Sequence, residues 1–424
     1  MRVQLSWAAK LVSLLCFAAI LLLGGAAAAP AADDLPALQS DIAGQLRAAG
    51  PHDGAYVYDL TAHQVLFSER ATSMRPPASV EKLYTATAAL QALGAGYRLA
   101  TTVYGIGHMA PGGVWQGTLY LHGGGDPTFG SSGFIARHYG GTGSPVSALA
   151  GQLRAAGIRR VSGQVMGDES MFDSLRGEPS TGYAPDPFLE GSLSALAFNR
   201  GETGSERGGH APAAYAARQL RAALRTDGIR VSGSGGAVTG VPAGAIQLAT
   251  LPSPTIAQLV GLMLPPSDNF FAETLVKDLG ARLGGAGTTP AGVHVVSSTV
   301  GSLLGIHPVV YDGSGLSESD RTSPYQVGDL LVALYPTPLG ALLRGRMAVA
   351  GRTGTLETRM RKTAAAGRCV GKTGTLTGVS NLVGYCPSGN GHMLAFAIFT
   401  DGISTTAAHI FQDHIAITLA SSAP

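Results

Sequence analysis

The segment Pro77-Ala-Ser-Val-Glu-Lys-Leu83 sets a serine three residues ahead of a lysine, at the head of an alanine-rich run that reads as a helix to about Leu93. On a helix that spacing puts Ser79 and Lys82 on one face, within hydrogen-bond reach. A serine hydroxyl is a weak nucleophile until a base takes its proton, and a lysine neutralised by burial or by a neighbouring cation can be that base. Alone, the pattern also describes many solvated helix faces. Two further segments follow it in order along the 424 residues, Ser267-Asp268-Asn269 and Lys372-Thr373-Gly374-Thr375. The chain has only five lysines (Lys10, Lys82, Lys277, Lys362 and Lys372), and two of them fall in these segments. Arginine carries most of the positive charge, so lysine is kept where an ammonium that can lose its proton, or a compact point charge, has a use.

Each of the other segments has a local reading as well as a chemical one. Ser267-Asp268-Asn269, on a loop entering the helix of Phe271, Leu275 and Leu279, reads as a helix N-cap. Its serine could also relay a proton from Lys82, and the Asn269 carboxamide can both accept from and donate to a peptide. Lys372 sits on an expected strand over 368–373. There Gly374 is either a simple kink or a point of close approach beside an edge that pairs with an extended peptide. The cation of Lys372 and the hydroxyls of Thr373 and Thr375 suit a carboxylate, with Lys372 staying charged and depressing Lys82. A near copy, Arg352-Thr-Gly-Thr-Leu356, is set aside because it runs into Glu357, Arg359 and Arg361.

Composition narrows the classes. With 45% hydrophobic and 13% charged residues the chain can bury large cores, and its length suits two or three domains. A net charge of +2, without a dense basic cluster or an aromatic platform, excludes a nucleic-acid surface. Histidines show no tight ligand spacing, so neither a metal nor another cofactor is expected. Arg2 and Lys10, the apolar run Leu11 to Leu23 and the small residues Ala26 to Ala29 read as an export signal over 1–28, or else as a retained anchor. Both readings place the body of the protein outside the cytoplasm, in the periplasm, in the cell wall or secreted. The end of the chain has no basic amphipathic face, so loose or no membrane association is expected once the signal is removed. Cys369 and Cys386 then remain, on neighbouring expected strands, as a disulfide or as two buried thiols.

Periodicity gives the layout. Leu35, Leu38, Ile42 and Leu46 mark a helix closed at Gly50-Pro51, followed by a hairpin of 55–58 and 64–67. Strands near 368–373, 380–386 and 392–400 precede a helix over 405–419 with Ala407, Ile410, Phe411 and Ile417 expected inward. Helices from both chain ends should cover one antiparallel sheet. Between these parts, 95–250 changes to short strands, glycine clusters and helices at 146–156 and 212–226, an insert in a unit made of 33–94 and 251–424. Within the insert, Leu153-Arg-Ala-Ala-Gly-Ile-Arg-Arg-Val-Ser-Gly163 is echoed by Leu224-Arg-Thr-Asp-Gly-Ile-Arg-Val-Ser-Gly233.

The ordered triple resembles that of the active-site serine penicillin-recognising enzymes. The 188 positions from Ser79 to Ser267 exceed the gap in a class A β-lactamase and resemble the D-alanyl-D-alanine carboxypeptidase/endopeptidase group, the class C low-molecular-mass penicillin-binding proteins. Gly123-Gly-Gly-Asp-Pro127, Ser194-Ala-Leu196 with Asn199, Asp312-Gly-Ser-Gly-Leu-Ser317 and Lys372-Thr-Gly-Thr-Leu-Thr-Gly-Val-Ser380 are similar to that group too. The resemblance implies an α+β fold, a penicillin-binding-protein or serine β-lactamase-like transpeptidase domain with an inserted strand-rich domain. It implies Ser79 as the acylated nucleophile, Lys82 as general base, Ser267 as proton relay and Asn269 as a holder of the substrate peptide. Lys372, Thr373 and Thr375 would bind the terminal carboxylate beside Gly374, and the backbone N–H groups of Ser79 and Thr375 would form the oxyanion hole. Peptidoglycan stem peptides are the implied substrate and β-lactams the implied covalent inhibitors. The insert is shorter than in the larger members, Glu318 stands where some relatives place an arginine, and Asp186 is the candidate for the aspartate that reads the stem-peptide side chain. A β-lactamase or esterase on the same scaffold, and a penicillin-binding wall module that does not turn over, are the competing readings.

Overall fold

A computed structural model describes residues 34–201 and 211–424. The expected signal over 1–28 lies outside the described residues. One sheet is antiparallel throughout, its six strands running in the order Ala348–Val349, Val370–Leu376, Val379–Pro387, Met393–Asp401, Gly54–Asp59 and Gln64–Glu69. The two halves of the chain thus meet where Gly54 pairs with Phe399 and Asp59 with Leu394. Side chains alternate across a strand. Leu382, Leu394, Phe396 and Ile398 point to the terminal helices, packing with Leu38, Ile42 and Ile415, while Val383, Ala395, Ala397 and Phe399 point to a second core with Leu83, Phe271 and Leu330. Because both faces are covered, these strands read as continuous apolar runs rather than as half-polar ones.

Helix Asp34–Ala49 and helix Thr405–Ser421 cover the first face as expected, but the second is rotated from the expected setting. Ala408, Gln412, Ile415 and Leu419 are buried, whereas Ile410 is 64% exposed. Gln412 decides the rotation: its amide nitrogen donates to the Ser380 carbonyl and reaches the hydroxyls of Ser380 and Thr400. A buried polar group has to be satisfied, and this one outweighs the most apolar stripe. Cys369 and Cys386 are joined as a disulfide that brackets the strand carrying Lys372.

The insert builds a second sheet in the order Gly235–Val238, Val165–Asp168, Val114–His122, Arg98–Ala110 and Ile246–Thr255, with Arg160–Val161 and Arg230–Val231 alongside. Its last strand runs to Thr255, beyond the expected boundary at 250, because register with Arg98–Ala110 continues to the Thr255 and Arg98 pair. Helices Val146–Ala155 and Pro212–Thr226 pack on one face over Val103, Trp115, Leu119 and Leu121. A further helix, Ser132–Tyr139, was not legible in the sequence. The echoed segments stand side by side: Arg160–Val161 pairs in parallel with Arg230–Val231, and Val165–Asp168 with Gly235–Val238.

Candidate active site

The three segments meet beside strand Val370–Leu376 of the first sheet. Ala78 adopts a left-handed φ of 48°, an uncommon conformation for a residue with a Cβ, and turns the chain into a 3-10 start over Ala78–Glu81 that continues as helix Lys82–Ala88. Strand Val370–Leu376 lies against this start so closely that a Cβ on Gly374 would come within 2.4 Å of the Pro77 carbonyl. Gly374 is therefore a point of close approach and not a simple kink. Asn381, on the next strand, donates to the carbonyls of Pro76 and Pro77 and clamps the segment leading to Ser79.

Within this frame the Lys82 ammonium is fully buried and donates to Ser79 Oγ at 2.9 Å, Asn269 Oδ1 at 2.6 Å and the Ser314 carbonyl at 2.6 Å. The Ser314 carbonyl is aimed by the turn Asp312-Gly-Ser-Gly, in which the Asp312 carboxylate accepts from the backbone N–H of Ser314, Gly315 and Ser317. Lys372 is equally buried and donates to Ser267 Oγ at 2.8 Å and to the Thr373 carbonyl at 2.6 Å. Each lysine therefore holds one serine hydroxyl. Ser79, partly exposed, and Thr375, exposed, open to the cleft, with Thr373 beside them.

A serine hydroxyl 2.9 Å from a buried lysine, with a second buried lysine holding another serine hydroxyl, is an arrangement suited to acyl transfer. Comparison with known proteins gives the family. The model of the D-Ala-D-Ala carboxypeptidase 3 (S13) family matches residues 38–186 and 188–422. This chain belongs to the S13 family. It is 32% identical to the D-alanyl-D-alanine carboxypeptidase of an Actinomadura species, over 88% of this chain and 82% of that protein. It is 29% identical to carboxypeptidase DacB of Mycolicibacterium smegmatis, over 80% and 74% of the two. Penicillin binding protein 4 of Haemophilus influenzae shares the fold with a TM-score of 0.76 at 20% identity, covering 90% of this chain and 99% of that one. A predatory peptidoglycan endopeptidase of Bdellovibrio bacteriovorus gives 0.55 at 16%, over 88% and 93%.

In this S13 chain the electrostatics of the two lysines differ from the expected division of labour. Burial is the largest influence on the Lys82 ammonium and pushes it down to about 8, against the pull of Asp312, Glu273, Glu81 and Asp320, which favour its charge. Lys372, expected to keep its charge, is shifted in the same direction. It is held well below the usual lysine range by burial first and then by repulsion from Lys82. No carboxylate contacts its ammonium among the described residues. The second segment caps its helix as expected, through Asp268, which is the N-cap of helix Asn269–Leu283 and accepts from the Phe271 N–H. Ser267 takes a left-handed φ of 66°, which turns its hydroxyl to Lys372.

Around the expected residues stand several that had no sequence signal of their own. Asn269 is already held, its Nδ2 donating to the carbonyl of Phe188 from the insert at 2.8 Å. Glu273, one helical turn on from Asn269, accepts from the Gly313 N–H at 2.9 Å and backs the turn that aims at Lys82. Lys277, another turn on, is buried and donates to Asp173 at 2.5 Å and to the Leu175 carbonyl at 2.9 Å. That spacing of four is visible in the sequence, but the composition of its partners is not. The segment set aside earlier also reaches the site: the Thr373 hydroxyl donates to Thr355 Oγ1 at 2.8 Å. Glu318 points to solvent, and Asp186 lines a cavity of about 540 Å³ with Glu190, Arg200 and Asp268.

Glu273 gives a pH dependence of stability. Burial and the Asp312 charge push its carboxyl up to about 8 from an ordinary value near 4.5. The folded chain thus holds a proton there that the unfolded chain has lost, so this contribution is full below about 4.5 and disappears as pH rises through about 8. Thermal melts should show the wild-type Tm falling over that window by more than the Tm of Glu273→Gln. Equal slopes would refute the assignment.

Proposed function

We propose that this chain is an exported serine D-Ala-D-Ala carboxypeptidase that trims peptidoglycan stem peptides through an acyl-enzyme on Ser79. The observation that carries the reading is the Lys82 ammonium, buried, lowered to about 8 and bonded to Ser79 Oγ. Near neutral pH such a lysine is partly unprotonated and can take the hydroxyl proton as Ser79 attacks the carbonyl carbon of the penultimate D-alanine. The oxygen that becomes negative would be received by the backbone N–H groups of Ser79 and Thr375, where one donor is worth about 10²–10³ in rate. The C–N bond then breaks, and Ser267 relays the proton from Lys82 to the amine of the leaving D-alanine. Water hydrolyses the ester, releasing the shortened peptide and restoring Ser79.

Lys372, Thr373 and Thr375 are the partners for the terminal carboxylate. A substrate carboxylate would supply the anion that Lys372 lacks, raising its proton affinity and fixing the charged form on binding. The signal-like start of the chain supports export. The Haemophilus penicillin binding protein 4 has been determined in complex with a β-lactam, and β-lactams are the expected covalent inhibitors here. An endopeptidase activity would use the same acylation step on a cross-linking peptide bond, and the Bdellovibrio protein that shares the fold is a peptidoglycan endopeptidase.

The deciding measurement is D-alanine release from a diacetyl-lysyl-D-Ala-D-Ala peptide beside turnover of a chromogenic cephalosporin. Stoichiometric D-alanine release with slow cephalosporin turnover is expected. Fast cephalosporin hydrolysis without D-alanine release would make the protein a β-lactamase, and acylation without either would make it a binding module.

A further inference from the structure

The insert supplies a residue that no motif announces. Residues Asn199 and Arg200 both take left-handed backbone, with φ of 49° and 61°. Two consecutive residues with side chains in that region are uncommon, and such strain clusters where the surrounding structure uses it. Here the surroundings hold the pair firmly. Asn199 Oδ1 accepts from the Ser131 N–H at 2.9 Å, and the Arg200 carbonyl accepts from the Ser192 N–H at 2.8 Å.

The turn delivers the Arg200 guanidinium to the rear of the second motif. Only 7% exposed, it lies over the rings of Tyr139, Phe270 and Phe271, with 5.7, 5.5 and 5.8 Å to their centroids. Its Nε donates to the Tyr139 hydroxyl at 3.0 Å, Nη1 to Glu190 Oε2 at 3.2 Å, and Nη2 to Asp268 Oδ2. Asp268 thus has both oxygens engaged, one by the insert and one by the Phe271 N–H that it caps. On either side of it stand Ser267, whose hydroxyl meets Lys372, and Asn269, whose carboxamide meets Lys82. Donating from three nitrogens of one planar, always-charged group to Tyr139, Glu190 and Asp268 fixes the guanidinium in orientation behind Asp268, which a lysine at the same place would not reproduce.

We propose that Arg200 is a positioning residue through which the insert sets the second motif: by locking Asp268 it holds the left-handed turn at Ser267 and the Asn269 carboxamide at the geometry needed for acylation. The proposal rests on the roles given to Ser267 and Asn269 above. It makes the insert part of the catalytic assembly and not only a neighbour.

The test measures the second-order rate constant for acylation by benzylpenicillin per folded molecule, together with Tm, in Arg200→Gln, Arg200→Lys, Asp268→Asn and the Arg200→Gln/Asp268→Asn double variant of the full chain. Asn is as good an N-cap as Asp, so Asp268→Asn keeps the helix start while weakening the link to Arg200, and it decides the matter if Arg200→Gln does not fold. Displacements of about 1 Å near reacting groups cost on the order of 10² in rate. Arg200→Gln and Asp268→Asn should each lose roughly 10- to 100-fold, the double variant no more than the worse single one. Arg200→Lys should regain Tm without regaining the rate. An acylation constant within twofold of wild type in Asp268→Asn, or losses that multiply in the double variant, overturns the proposal. Ser267→Ala and Asn269→Ala, measured alongside, separate its failure from that of the underlying reading: wild-type acylation in both would remove the second motif from the chemistry altogether.

Discussion

Ser79→Ala takes up no penicillin: intact-mass spectrometry of the variant shows the unmodified chain, whereas the wild type gains one adduct. D-alanine release falls on the order of 10⁶-fold, the scale on which removal of a serine nucleophile acts in other acyl-transfer enzymes. The variant should fold, because the Ser79 side chain is only partly buried and its single named side-chain contact is with Lys82. Lys82 keeps Asn269 and the Ser314 carbonyl as partners. An adduct of equal yield on Ser79→Ala would move the nucleophile elsewhere and sink the mechanism.

Replacing Lys82 should cost about 10²–10⁴ in acylation rate, the usual worth of a general base. Two variants separate charge from basicity. Lys82→Met removes both, and Lys82→Arg keeps a cation that does not release its proton at any accessible pH. Both should lose the rate alike. In the wild type the acylation rate should climb about tenfold per pH unit below the lysine's titration near 8 and level off above it, because the unprotonated fraction is the active one. A flat profile between pH 6 and 9, or substantial activity in Lys82→Arg, would show that some other group takes the proton.

Much of this was legible in the residues because the strong signals are local. The serine-to-lysine spacing, the glycine beside Lys372 and the apolar runs of the strands each report a nearest-neighbour constraint, and each reappears in the fold at its expected place. What the sequence did not carry is long-range. Spacing shows that Lys82 and Lys372 are rare cations in one site, but burial depth determines which way their proton affinities move, and depth depends on the whole fold. The rotation of the last helix hinged on Gln412 finding Ser380 and Thr400, partners more than ten residues away. Arg200 was invisible for the same reason. It adjoins Asn199, which the family resemblance marks, yet its meaning comes from Asp268, which lies in another unit of the chain.

The paired echo inside the insert has an evolutionary consequence. A helix-to-strand module that lies in parallel beside its own copy has the geometry of a tandem duplication, and the copied strand Gly235–Val238 ends the sheet as an open border. A change at such a border leaves untouched the non-strand stretch of the insert that contacts the second segment. The far edge of this region is thus mechanically separate from the chemistry, whereas the short stretch from Phe188 to Arg200 is tied to it through Asn269 and Asp268.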